Sequence, residues 1–475
     1  MSAPMPFPPT AAPHVVVVGG GVSGMAAAER LAAAGARVTL LEVAARLGGM
    51  VDTEHADGLV LERGADSVVA AKPATRDLCA RLGIADRLVG PAVRGALVSR
   101  EGRLRRLPAG LSGLMPTRLR PLATSGVLSA RGLARAALEP WQPAAPADAG
   151  DESLEAFVTR RMGREAYDRL VEPLLTGIYA GDGGRLSVRA TFPQLRAVER
   201  EHGSLVRGLR ARSRQAAMPA SPFLSLPGGM RELVDALEHA LRASGRVDVR
   251  LGASARLVRG PSGEGPCVVV LADGDWIAAD AVVVAAPLPQ AAGMLAAAEP
   301  AVAAELGGVA LGSTATVTLA IDRAAVPHAL DATGYVVPRV ERRDVLACTF
   351  VSSKWAGRAP ADVALFRVFL GGVHRAELVA RDDRALVAIA RAELRATLGV
   401  VAPPRLTRVA RWERAMPQYE LGHPERVARV QRLLAARPWL ALAGNGYAGV
   451  GIPDCIRSGE AAAARVLGAA PAAAA

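Results

Sequence analysis

Gly19, Gly21 and Gly24 stand in a G-x-G-x-x-G spacing directly after four valines, Val15 to Val18, and at the head of an alanine-rich stretch with helical periodicity. That context gives each glycine a task in holding a dinucleotide. Gly19 permits a tight turn, Gly21 lets a pyrophosphate approach the backbone where the helix begins, and Gly24 lets helix and strand pack closely. Gly20, Val22 and Ser23 complete the loop that would meet the cofactor. Glu42, 18 residues past Gly24, ends the next apolar run. A carboxylate there accepts hydrogen bonds from ribose hydroxyls and repels a 2′-phosphate, so the expected adenosine half is that of FAD or NAD and not NADP.

Arg46, Gly48 and Gly49 follow in the pattern E-x-x-x-R-x-G-G, with Met50 next. Two adjacent glycines bring backbone against a cofactor, and Arg46 can balance diphosphate charge. At the other end of the chain, Gly444, Gly446, Gly449 and Gly451 let a loop lie flat along a ring system, with Val450, Gly451 and Ile452 entering a helix. The N-terminus of that helix would turn its partial positive charge toward a ring edge that becomes negative on reduction.

The extended pattern resembles the glutathione-reductase-like FAD proteins of the amine oxidase superfamily. A longer ordered series is similar to the oxygen-dependent protoporphyrinogen and coproporphyrinogen oxidases of haem biosynthesis. It runs through Thr176-Gly177-Ile178-Tyr179-Ala180-Gly181-Asp182, Thr191-Phe192-Pro193, Ser352-Ser353-Lys354-Trp355, Pro417-Gln418-Tyr419 and the stretch from Gly449 to Gly459. The resemblance implies FAD as cofactor and removal of six hydrogens from a porphyrinogen in three flavin-mediated steps, with O2 as acceptor and H2O2 as product. It further implies that Gly64, Ala65, Asp66 and Ser67 form a loop near the flavin and that Ala255 meets adenine through its backbone. On the substrate side it assigns Arg94 to a propionate, the Gly177 backbone to the macrocycle, and Leu346 and Phe369 to the faces of pyrrole rings. Met50 and Val68 depart from the aromatics usual at those two positions.

Such chemistry asks for positioning more than for acid-base groups. No Ser-His-Asp or metal constellation stands out, the seven histidines are scattered and read as structural, and no catalytic side chain or metal ligand is assigned. An amine oxidase or carotenoid desaturase on the same scaffold is the alternative, with Tyr447 and Lys354 as the aromatic and lysine an amine oxidase would want. A porphyrin-binding flavoprotein without turnover is a third reading.

The elements that must position these residues follow from pattern. At 475 residues, with 51% hydrophobic and 21% charged, the chain exceeds the roughly 100 to 200 residues of one domain and is neither disordered nor disulfide-stapled. The expected fold is α/β, a glutathione-reductase-like Rossmann domain discontinuous in sequence, with a mixed or antiparallel β substrate domain and a helical subdomain. Residues 1–13 read as a flexible tail, and 14–90, 224–295 and 421–468 as three parts of the FAD domain. The helical subdomain is placed at 91–210, the β domain at 300–420, and a second tail at 469–475. Cys79, Cys267, Cys348 and Cys455 have no paired spacing and read as reduced thiols. The uncharged run 281–298 is broken by Pro287 and Pro289 and predicts no spanning helix, and the N-terminus lacks a secretory pattern, so a cytoplasmic location is expected.

The net charge of +12 is carried almost wholly by arginine, the lysines being Lys72 and Lys354. Nine arginines and one acidic residue lie between Arg94 and Arg135, interleaved with Leu104, Leu107, Leu111, Leu114, Leu119, Leu122, Leu128 and Leu133. That composition predicts peripheral contact with the inner face of a membrane, arginines on headgroups and leucines in the acyl boundary. It also suits handover of a sparingly soluble product to the next haem-pathway enzyme. Nucleic-acid binding lacks any supporting motif.

Overall fold

The valine run forms β1 (His14–Val18), and its side chains divide between two cores because successive residues of a strand face opposite ways. Val15 and Val17 join a core with α1 (Val22–Ala33), the helix Arg231–Ala243 and the C-terminal helix Ile452–Val466. Val16 and Val18 join a second core with a three-stranded antiparallel sheet, residues 255–279, and the helix Leu288–Leu295. Burial on both faces requires the continuous apolar run seen in the sequence. β1 pairs in parallel with β2 (Arg37–Glu42) and with Ala281–Val284, and Val247–Leu251 and Leu440–Leu442 complete the five-stranded sheet at its two edges.

This structure is a computed structural model that describes residues 12–112, 114–146, 149–215, 221–263 and 265–468. The expected tails, all but residues 12 and 13, lie outside the described residues. Val247–Leu251 and Ala255–Arg259 belong to different sheets: Gly252, at φ +68°, turns the chain out of the parallel sheet, and Ala255–Arg259 enters the antiparallel one. The 281–298 run is a strand followed by a short helix, and among the described residues no helix is long and apolar enough to cross a membrane.

A seven-stranded sheet forms the second half of the molecule, in the order Leu406–Pro417, Leu311–Asp322, Val363–Gly371, Val345–Phe350, Gly334–Val336, Leu97–Arg100 and Arg103–Arg106. Its last two strands correct the sequence reading, which placed 97–106 in the helical subdomain. Arg103–Arg106 is an exposed edge, where charge on alternate residues is tolerated, so its arginines hid the strand pattern. The helices between Leu119 and Gln215 do gather about a core of their own. That core also corrects the membrane reading of the leucines. Leu114, Leu122 and Leu128 are buried in it, Leu107, Leu111 and Leu133 pack against it, and Leu104 packs under the seven-stranded sheet. Of the eight, Leu119 is the one that is exposed.

Candidate functional site

The glycine-rich turn leaves open space where the spacing predicted a phosphate. A Cβ on Gly24 would lie 1.8 Å from the Gly19 carbonyl oxygen, and Gly19 itself takes φ +106° against the Ala285 carbonyl, so both are needed for packing. A Cβ on Gly21 would meet nothing within 4 Å. Gly21 bridges in parallel to Gly48, and a Cβ on Gly49 would come within 3.1 Å of the Gly21 Cα, so the two glycine loops meet at this opening. α1 starts with no side-chain cap and no acidic residue in its first turn. The amides of Val22, Ser23 and Gly24 therefore lack intrahelical partners, which is the donor set an anionic diphosphate takes.

Glu42 is anchored toward this turn, one carboxylate oxygen accepting from the Gly20 N–H at 2.7 Å and the other from the Ala44 N–H at 2.8 Å. Ala253 donates its N–H to the Glu42 carbonyl at 2.9 Å, and Ala255 begins its strand two residues on, beside the same end of the sheet. Arg46 has a different first task from the one expected. Its guanidinium donates to the carbonyls of Leu47, Gly49 and Val51 and pairs with Asp52 at 3.3 Å, fastening the double-glycine loop. Met50 is fixed from the other side, since a Cβ on Gly64 would lie 1.6 Å from its carbonyl oxygen.

The C-terminal loop is brought to the same place. Ile452 shares a core with Val22, and the helix it begins crosses α1 so closely that a Cβ on Gly459 would lie 2.1 Å from the Ser23 carbonyl oxygen. The buried Tyr419 hydroxyl donates to the Asn445 carbonyl at 2.6 Å and accepts from the Gly449 N–H at 2.8 Å, spanning the loop. Its ring stacks on His423 at 4.0 Å, and His423 Nε2 donates to the Tyr447 carbonyl at 3.1 Å. The helix N-terminus behind Val450 and Gly451 is not bare: the Asp454 carboxylate accepts from the Gly451 N–H and is paired with Lys72 at 2.6 Å and Arg457 at 2.7 Å.

One face of the seven-stranded sheet closes the site. Along Val363–Gly371, Phe366, Val368 and Leu370 point into the sheet's own core, so Leu365, Arg367 and Phe369 point the other way, beside Thr318 and Thr316 of one neighbour and Thr349 and Ala347 of the other. The loop from Arg63 to Ser67 lies on this face. Trp412 Nε1 donates to the Arg63 carbonyl at 2.8 Å, and Arg367 donates to the Gly64 carbonyl. Asp66 accepts from Lys354 Nζ at 2.8 Å, Trp355 Nε1 at 3.3 Å and the Ser67 hydroxyl at 2.7 Å, while Ala65 between them is exposed. Burial by itself would raise the Asp66 carboxyl, but Lys354 and Arg367 hold it well below the usual carboxylate range.

Phe369 is half-buried over the Arg367 guanidinium, 4.9 Å from its ring centre. Leu346 sits in a register shift of the next strand and touches the Gly372 turn, which abuts the Ala180 carbonyl at the end of the helix Glu172–Tyr179. Gly177 is exposed on that helix, with open space at its Cβ position. The Gly372 turn thus links Leu346 to the end of the helix that bears Gly177, and Phe369 pairs across the strands with Ala347, the residue after Leu346. Arg94 is exposed and lies two residues from Ala92, whose N–H donates to the Lys354 carbonyl at 2.8 Å. Among the described residues it pairs with no carboxylate.

Lys354 and Tyr447 do not form an amine-oxidase pair, since the Lys354 ammonium is held by Asp66 and the Tyr447 ring packs against the second core. Sequence reasoning missed Tyr419 as the support of the C-terminal loop and Arg367 altogether. A lone arginine at an inward-facing position of an otherwise apolar strand, Val363–Gly371, was the available signal for Arg367.

A profile of the flavin containing amine oxidoreductase family matches residues 22–467. The chain is 38% identical to a coproporphyrinogen III oxidase of Propionibacterium freudenreichii subsp. freudenreichii, over 98% of this chain and 93% of the relative. It is 34% identical to a coproporphyrinogen III oxidase of Bacillus subtilis, over 96% of this chain and 98% of the relative. Among solved structures, one designated a protoporphyrinogen oxidase, from Exiguobacterium, superimposes with a TM-score of 0.84 at 32% identity, covering 96% of this chain and 99% of that one.

Proposed function

Since the chain belongs to the flavin containing amine oxidoreductase family, we propose that it is an FAD-dependent porphyrinogen oxidase of haem synthesis and that coproporphyrinogen III is its substrate. The observation that carries this reading is the meeting of two surfaces. The opening at Gly21, Gly48 and Gly49 is tied, through Met50 and the Gly64–Ser67 loop, to the sheet face that bears Arg367 and Phe369, and Arg94, which among the described residues pairs with no carboxylate, follows two residues after the Ala92–Lys354 contact. The Bacillus subtilis and Propionibacterium relatives, both named for coproporphyrinogen III, support the choice of substrate.

Bound FAD supplies a two-electron acceptor, and three such oxidations by O2 convert one porphyrinogen to one porphyrin with three H2O2. The residues present do the rest by orientation. Phe369 and Leu346 offer apolar area to the pyrrole rings of a tetrapyrrole, and the Gly177 backbone allows close approach. Arg94 offers a guanidinium fork to a carboxylate. Asp66, bound on two oxygens and kept ionised by Lys354 and Arg367, has little affinity for a proton, so pyrrolic protons would pass to water or to a pyrrole nitrogen and not to this carboxylate. Contact with an anionic membrane and handover to the next enzyme belong to the same proposal. They are supported by the exposed arginines Arg103, Arg118, Arg120 and Arg131 and by the exposed apolar side chains of Leu138 and Trp141.

The test is aerobic incubation of the flavin-loaded protein with coproporphyrinogen III and with protoporphyrinogen IX, following porphyrin fluorescence and peroxide. A higher kcat/KM for coproporphyrinogen III is expected. Preference for the dicarboxylate would remove the substrate assignment, and inertness toward both would remove the reaction class. Arg94→Ala should raise KM for the porphyrinogen more than it lowers kcat, and an unchanged KM would take Arg94 out of substrate binding.

A further inference from the structure

Where the segment from Leu59 to Asp66 crosses the sheet face, five charged side chains gather: Glu62, Arg358 and Arg367, which are buried, and Asp66 and Lys354, which are partly so. Glu62 takes Arg358 at 2.9 Å and Asp66 takes Lys354 at 2.8 Å. Arg367 is left over. It is 4% exposed, and its hydrogen bonds go to the carbonyls of Arg63 and Gly64. Its Nε is buried with no partner, and its one ring contact is Phe369. The cavity beside it, of about 10 Å³ and lined by Glu62, Asp66, Thr318 and Arg367 among others, holds at most one water.

Three cations against two carboxylates leave an excess buried positive charge, and burial raises the Glu62 carboxyl, which can only enlarge the excess. An excess charge in such surroundings is unfavourable unless something offsets it. Fastening the loop does not need it, since neutral donors would hold two carbonyls as well. We propose that Arg367 is an electrostatic positioning residue: the excess positive charge it brings to this cluster, set directly behind the Gly64–Ser67 loop, favours the negative charge that reduction places on an isoalloxazine ring bound against that loop. This rests on the flavin reading of the site.

The test uses full-length protein loaded with FAD, with Arg367→Gln, which keeps donors without charge, and Arg367→Lys, which keeps charge without the fork. The readouts are the flavin midpoint potential and the affinity for sulfite, an anion that adds to the oxidised ring. Arg367→Gln should weaken sulfite binding about tenfold or more and lower the potential, a tenfold effect on a two-electron couple being about 30 mV. Arg367→Lys should recover most of both. A flavin-loaded Arg367→Gln with unchanged sulfite affinity and potential overturns the proposal. Should that variant not fold, the unsubstituted holoprotein decides. Its reduced flavin should keep the anionic absorption spectrum at a pH where free reduced flavin is protonated, and a neutral spectrum there overturns the proposal. Failure of the unsubstituted protein to take up flavin overturns the reading of the site and this inference with it, whereas the other adverse outcomes leave that reading standing.

Discussion

Tyr419→Phe removes a hydroxyl that both donates to and accepts from the C-terminal glycine loop, and it leaves the Gly449 N–H without its partner. Two such bonds are worth about 1 to 3 kcal/mol together, so flavin affinity, measured by titrating the apoprotein, should fall tenfold or more while the fold persists. Gly21 and Gly24 separate binding from folding. Gly21→Ala adds a methyl to open space and should fold yet take up flavin poorly, whereas Gly24→Ala drives a Cβ into the Gly19 carbonyl and should fail to accumulate as folded protein. His423 is buried against Tyr419, and burial, assisted by Arg426, pushes its pKa down. A base with a depressed folded pKa is neutral in the native state and charged when unfolded. Its contribution to stability is therefore present above the unfolded pKa of about 6.5 and lost as pH falls below it. Urea denaturation at pH 7 and pH 5 should show this loss, and His423→Gln should flatten it. The sequence disclosed the glycines because their spacing is local; the Tyr419 contact spans 26 residues to Asn445 and left only a motif.

Among the elements, the arginine- and leucine-rich stretch shows how composition misleads when the partner surface is unknown. Leucines at that spacing suit a lipid boundary and a helical core equally, and the structure places Leu122 at 1% exposure inside the core. Leu122→Ala should therefore cost about 2 to 5 kcal/mol in chemical denaturation, while Arg120→Gln, on the exposed side, should stay within about 0.5 kcal/mol. Equal effects from the two would return the leucines to the surface. The hairpin of Leu97–Arg100 and Arg103–Arg106 was hidden for a related reason. Its inner strand is apolar but short, its outer strand is an arginine-bearing edge, and its sheet partner Gly334–Val336 lies more than 200 residues away. β1, α1 and β2 were legible because the periodicity, the glycines and Glu42 all agree within 30 residues.

Across the whole molecule, Arg358 is a buried tie between distant segments. Arg358 bonds the Glu62 carboxylate, the Ser225 hydroxyl and the Leu226 carbonyl, joining three segments far apart in sequence. Arg358→Met should destabilise by about 3 to 5 kcal/mol in urea denaturation because Glu62 is left charged and buried, and Glu62→Gln in the same chain should restore part of the loss. The sequence by itself determined the cofactor cradle and the alternation of its strands, since turn chemistry and side-chain period act over a few residues. It carried the family resemblance as well, motif by motif. Only the tertiary structure decided that Arg46 fastens its own loop, that Asp66 is clamped by Lys354, and that Arg367 bonds backbone carbonyls and, among the described residues, no carboxylate directly. Those are properties of which groups meet in a water-poor interior, and a linear order of residues does not say where the water ends.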